Sequence, residues 1–119
     1  MSGPGSSDCL FCKIVAGEIP AKTVFEDDRA IAFRDINPQA PVHVLIVPRQ
    51  HIATLNDLAV ADEALAGHLI SVGRDLARSE GVAERGYRLL FNTGRESGQT
   101  VFHIHLHLLG GRPMGWPPG

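Results

Sequence analysis

The chain has 119 residues, of which 44% are hydrophobic and 20% charged, with a formal net charge of −2. This length fits one domain whose core needs no disulfide staples, and the composition excludes wholesale disorder. The slight acidic balance speaks against a general grip on nucleic-acid backbone, and no apolar run reaches the roughly 20 residues of a membrane span.

Residues 1–8, MSGPGSSD, have neither the basic nor the apolar region of a signal peptide. They read as a flexible tail ahead of a single domain over 9–119, and the chain is expected to be cytoplasmic. Cys9 to Ala16 is a short helix or turn, with Gly17 as its C-terminal stop. Val24-Phe25 and Ala30–Phe33 are strand-like, split by the turn-prone Glu26-Asp27-Asp28. Asp35 to Pro41 is a loop, because two prolines and an asparagine break any periodicity. Val42 to Val47 is nearly continuous and rich in β-branched residues, which predicts a central strand ended by Pro48.

Ala59 to Glu80 is the one long helix, with Leu65, Leu69, Val72 and Leu76 as its apolar stripe and Glu63, Arg74 and Arg78 opposite. Gly81 suits its C-terminal cap, and His68, at the stripe's edge, is read as a surface residue without chemistry. Tyr87 to Phe91 and Val101 to Leu109 are strands, joined by the glycine-bearing loop Asn92 to Gln99. The short connection makes that pair antiparallel. The order of strands, one long helix and strands predicts an α+β domain: an antiparallel sheet of about five strands with one long and one short helix.

Six histidines are many for such a chain, and three of them form His103-Ile104-His105-Leu106-His107. In a strand, alternation sends all three to one face and Ile104, Leu106 and Leu108 to the other; in a helix both sets would scatter. His103 and His107 stand about 13 Å apart along a strand and cannot touch one phosphorus or one metal. His105 and His107, about 6–7 Å apart, can flank one phosphate. Three histidines lining a solvated face is the competing reading, although a surface strand more readily uses Thr, Lys or Glu.

His-x-His-x-His followed by apolar residues resembles the signature of the histidine triad superfamily. FEDDRAIAFRDINPQAPVHVLIVP, GQTVFHIHLHLLGGR and the closing WPPG are similar to its Hint branch, the histidine triad nucleotide-binding proteins. The resemblance runs from about residue 9 to 119. It implies a homodimer that continues the sheet. It also implies hydrolysis of purine nucleoside 5′-phosphoramidates, with AMP as product, through a nucleotidylated histidine. The alternatives are a dinucleoside polyphosphate hydrolase or nucleotidyl transferase, and a nucleotide- and zinc-binding module with little turnover.

The resemblance makes His105 the nucleophile, His107 a donor to the α-phosphate and His43 a helper in proton movement. A buried, hydrogen-bonded core histidine is the other reading of His43. The same resemblance gives ribose and phosphate contacts to Asp35, beside Ile36, and to Asn92, Gly98, Gln99 and Thr100. Thr100 stands where serine is more usual, and strand parity requires it to lie in a turn. Glycines in the 94–99 loop would let backbone N–H groups face a phosphate. Leu10, Phe11, Ile14, Phe33 and Leu45 look like the base pocket, although their pattern alone reads as core.

Cys9 and Cys12 offer half of a tetrahedral zinc site, and His51 and His103 could complete it, an arrangement that some bacterial relatives carry. Two thiolates and two imidazoles close the coordination, so such a zinc is structural and catalysis needs no metal. A redox dithiol and two inert thiols are the competing readings.

Overall fold

The structure is a computed structural model that describes residues 8–119. The expected tail, Asp8 apart, lies outside the described residues. Helix α1 (Leu10–Val15) is capped by Cys9, whose Sγ accepts the Cys12 N–H at 3.3 Å. Gly17, at φ 78°, turns the chain out of it. Strands β1 (Thr23–Glu26), β2 (Ala30–Arg34), β3 (Val42–Pro48), β4 (Tyr87–Leu90) and β5 (Leu106–Gly110) form one antiparallel sheet in the order β1-β2-β3-β5-β4. The α+β expectation holds, and β3 is central and buried as its composition predicts.

Side-chain parity divides the sheet into two faces. Ala30, Ala32, Val44, Ile46, Leu106 and Leu108 pack with Leu69, Val72 and Leu76 of helix α2 (Glu63–Ser79). On the opposite face, Ile31, Phe33, Leu45 and Val47 pack with Cys9 and Phe11 of the α1 segment. A large helix thus covers one face, and a single short turn of helix covers the other, where the histidines emerge.

Three boundaries stand out against expectation. The long helix starts at Glu63, not Ala59: Val60–Asp62 is a 3₁₀ turn in which the Asp62 carboxylate accepts the Ala59 N–H at 3.0 Å. The histidine segment joins the sheet only at Leu106, not Val101. Ahead of it, the Ile104 N–H donates to Ile52 O at 2.7 Å, outside any strand pairing. The faces nevertheless alternate there, and Ile104 enters the α2 core with Leu106 and Leu108. The preceding strand likewise ends at Leu90, one residue before Phe91.

Gly110 ends β5 where a Cβ would stand 3.0 Å from both Cβ and Cγ2 of Val82. Val82 is buried and stiff at χ1, so it cannot swing aside. Gly110→Ala is expected to destabilise the fold by about 1–3 kcal/mol, read as a lower urea midpoint at unchanged m-value.

Candidate active site and metal centre

The hydrogen bonds at the histidine row fix the tautomers. The Gln39 N–H can only donate, and it reaches His43 Nδ1 at 3.0 Å. Neutral His43 therefore carries its proton on Nε2, which lies 2.9 Å from His107 Nδ1. His107 accepts there and must carry its own proton on Nε2, a buried atom with no partner among the described residues. At His105 the deduction runs the other way. Its Nδ1 lies 2.8 Å from the His103 carbonyl, which can only accept, so the proton sits on Nδ1 and Nε2 keeps its lone pair. The rings of His105 and His107 have centroids 4.9 Å apart. A nucleophilic nitrogen and an unused N–H donor thus stand side by side.

The sheet register builds a floor around them. Phe33 pairs with Leu45, Leu45 with His107, and His107 with Leu90. Phe11 packs edge-on against Phe33, and its ring centroid is 4.9 Å from that of His105 at 87°. Phe11, Phe33 and Leu45 are all buried, and Ile14 packs with them, whereas Leu10 is exposed. Asp35 follows β2; one of its carboxylate oxygens lies 3.4 Å from His43 Nε2, and the other accepts the Asn37 N–H at 2.8 Å. Ile36 is 99% exposed and touches none of this row closely enough to be shielded by it.

The 94–99 loop departs from the expected phosphate cradle. Gly94 and Gly98 do have positive φ, at 84° and 88°. Their N–H groups are engaged within the loop, however: Gly94 N donates to Gln99 Oε1 at 2.9 Å and Gly98 N to Arg95 O at 3.0 Å. The Gln99 amide donates to Ala53 O and Val101 O, and its own N–H to Gly94 O. Gln99 therefore clasps the loop, and its side chain has no donor to spare. Thr100 lies outside any strand, as its parity requires, and is exposed. It borders a cavity of about 480 Å³ together with Cys9, His51 and Phe102. Asn92 lies two residues past Leu90, in the segment that leaves β4.

Cys9, Cys12, His51 and His103 meet, with one donor atom from each within 4.8 Å of the others. The His103 Nδ1 is 3.4 Å from Cys9 Sγ and 3.5 Å from Cys12 Sγ, and His51 Nδ1 is 3.3 Å from Cys12 Sγ. The His103 Nε2–H donates to Pro48 O at 2.8 Å, which leaves the Nδ1 lone pair for a cation. Two sulfurs and two imidazole nitrogens at this spacing fit a tetrahedral metal ion. Burial, then the neighbouring Cys9 sulfur, pushes the Cys12 thiol up to about 11.

Three features carried no readable sequence signal. The Arg112 guanidinium donates to Gln39 O at 3.0 Å and so braces the residue whose N–H sets the His43 tautomer. The buried Thr93 hydroxyl has no partner among the described residues. His68 is half-buried and engaged: its Nε2–H donates to Asp27 at 2.6 Å, and the Asp27 carboxylate also caps the Arg29 and Ala30 N–H groups. It pins α2 to the β1–β2 turn.

Burial lowers the pKa of His43, against the pull of Asp35. Burial, with His105 and His43 adding to it, lowers His107 to about 4. The folded state thus disfavours both protonated imidazoles. Their contribution to stability is complete above the unfolded value near 6.5 and is lost as pH falls through the folded one. Urea midpoints should therefore drop between about pH 6.5 and about pH 4, and His107→Asn should flatten that drop.

Residues 16–114 match the HIT domain family. The purine nucleoside phosphoramidase of Escherichia coli K12 is 51% identical over 110 residues, covering 92% of each chain. A HIT family hydrolase from Legionella pneumophila superposes with a TM-score of 0.93 at 58% identity, covering 94% of this chain and all of that one. A Zn-bound histidine triad family protein from Mycobacterium smegmatis gives 0.78 at 37% identity, over 91% of this chain and 78% of its own. The histidine row and its sheet are those of a HIT protein, and the chain belongs to the HIT domain family.

Proposed function

We propose that this protein hydrolyses purine nucleoside 5′-phosphoramidates through a nucleotidyl-histidine on His105. The observation that carries the reading is the tautomer pair: a lone pair on His105 Nε2 beside an unpartnered N–H on His107. The likeness to the Escherichia coli phosphoramidase supports the substrate class and the hydrolytic outcome.

In the first step His105 Nε2 bonds to the α-phosphorus as the P–N bond breaks, and the amine leaves with its bonding pair and a proton from solvent. The His103 carbonyl, fixed on Nδ1–H, stabilises the positive charge the ring then carries. His107 stays neutral and donates its Nε2–H to a phosphate oxygen, while His43 acts as a positioning residue that holds the His107 tautomer. In the second step water bonds to phosphorus and gives a proton to solvent, the N–P bond breaks with its pair returning to His105 Nε2, and AMP departs. Asp35 accepts from the ribose hydroxyls, with Ile36, Asn92, Gly98 and Thr100 bordering the nucleotide. Phe11, Phe33 and Leu45 back the base, and the clasp by Gln99 gives the loop its shape.

Zinc is the cation proposed for Cys9, Cys12, His51 and His103, supported by the donor set and by the Zn-bound relative. It would stabilise the fold with its coordination closed, and no catalytic step uses it. The proposed homodimer pairs β4 with its copy. β4 is an edge strand of half-buried residues, and Ile70 of α2 stands half-exposed one turn before Gly73, whose α-carbon faces Leu89 of β4. The setting proposed is the cytoplasm; no helix among the described residues is long and apolar enough to cross a membrane.

Adenosine 5′-phosphoramidate should release AMP faster than diadenosine polyphosphate does. His105→Asn should abolish that turnover while retaining AMP binding, and His107→Asn should lower kcat by about 10²–10³-fold. Wild-type turnover in His105→Asn would refute the mechanism. Sedimentation should give twice the chain mass, and a monomer at micromolar concentration would refute the pairing.

A further inference from the structure

One residue serves both the metal centre and the nucleophile. His103 is fully buried. Its Nε2–H is held by Pro48 O, its Nδ1 faces both cysteine sulfurs, and its carbonyl accepts the His105 Nδ1–H at 2.8 Å. That last bond is what leaves His105 Nε2 its lone pair. The segment making it precedes β5, and the peptide that carries the His103 carbonyl is held by a single backbone bond, from its Ile104 N–H to Ile52 O at 2.7 Å, next to the His51 ligand. The position of the carbonyl depends on that bond and on what anchors the side chains of His103 and His51 on either side of it.

A second strut runs through α1. Phe11 lies between the two cysteines in sequence, and its ring edge abuts His105 at 4.9 Å and His103 at 6.1 Å. A helix of six residues has no stability of its own, so α1 keeps its place through the contacts of its side chains. Two of those side chains are the sulfurs of the metal centre.

Taking His105 as the nucleophile, we infer that the Cys9–Cys12–His51–His103 centre is the positioning element of the catalytic step. A metal bound there locks the His103 carbonyl and the Phe11 ring against His105, and His103 and Phe11 act as positioning residues. Without the metal, the carbonyl and ring gain freedom, and the attacking nitrogen loses its fixed tautomer and aim. Misplacement by about 1 Å can cost about a hundredfold in rate, so this loosening falls on catalysis as well as on stability. A centre that only staples the fold would instead lower the melting temperature and leave His105 untouched.

The test compares the zinc-loaded chain, the same chain after chelation, and Cys9→Ser/Cys12→Ser. Elemental analysis should find one zinc per loaded chain. Nitrogen-edited NMR then reads solvent exchange of the His105 Nδ1 proton, and single-turnover kinetics read formation of the nucleotidyl-histidine. Zinc loss should speed the exchange by at least about tenfold and slow the single-turnover step by at least about tenfold, with AMP affinity held within about twofold. Added zinc should restore the chelated chain and not the double variant. Unchanged exchange in a metal-free chain that keeps its native circular dichroism would overturn the inference, as would failure of the loaded chain to bind zinc. If the double variant does not fold, the chelated wild type decides by the same readouts. If the loaded chain forms no nucleotidyl-histidine, the proposed function fails, and the exchange rates still decide whether the centre holds His105.

Discussion

A neutral imidazole has two nitrogens and one proton, and the nitrogen without the proton is the one that can attack. At His105 that choice is made by a single backbone carbonyl, 2.8 Å from Nδ1. The surrounding structure serves to keep that carbonyl, and its counterpart at Gln39, in place. The two anchors act with opposite sign. A carbonyl places the His105 proton on Nδ1, whereas an N–H at Gln39 drives the His43 proton to Nε2 and, through it, the His107 proton to Nε2 as well. Side chains of one type, on one face, thereby acquire complementary roles from main-chain groups alone.

The faces themselves follow from parity. Even-numbered residues of β2, β3 and β5 pack under α2, and odd-numbered ones turn toward α1. The core under α2 is built from aliphatic side chains and closed by a long helix. The other layer is thin, covered by six residues of helix and interrupted by titratable groups. A thin layer lets a substrate approach, and burial nevertheless keeps His43, His105 and His107 below their ordinary pKa and hence neutral at pH 7.

Much of this arrangement is legible in the residues. The alternation from His103 to Leu108 assigns faces correctly even though the ladder starts only at Leu106, because Ile104 shares the α2 core with Leu106 and Leu108. The spacing of Cys9 and Cys12 offers half of a metal site, and the family resemblance implies His51 and His103 as the other half, which the structure brings together. Other features depend on contacts between distant segments and have no periodic trace. Gln99 gives no hint that its amide spans to Ala53, 46 residues away, and His68 sits at a stripe's edge with its partner Asp27 41 residues earlier. The start of α2 is misread because Asp62 folds back on Ala59, a local choice that the apolar stripe does not see. The loop glycines have the conformation their type suggests, yet their N–H groups are already engaged.

The strand order has a consequence for how such a molecule comes into being. β5 is the last strand in the chain, yet it lies between β3 and β4, which touch each other only through it. During synthesis, everything up to Tyr87–Leu90 emerges before the segment that joins the two halves of the sheet. That same segment brings His103, His105 and His107, and Arg112 follows it to brace Gln39. Completion of the architecture and arrival of the chemistry are therefore one event. A chain interrupted before residue 103 lacks both the histidine row and the keystone of its own sheet.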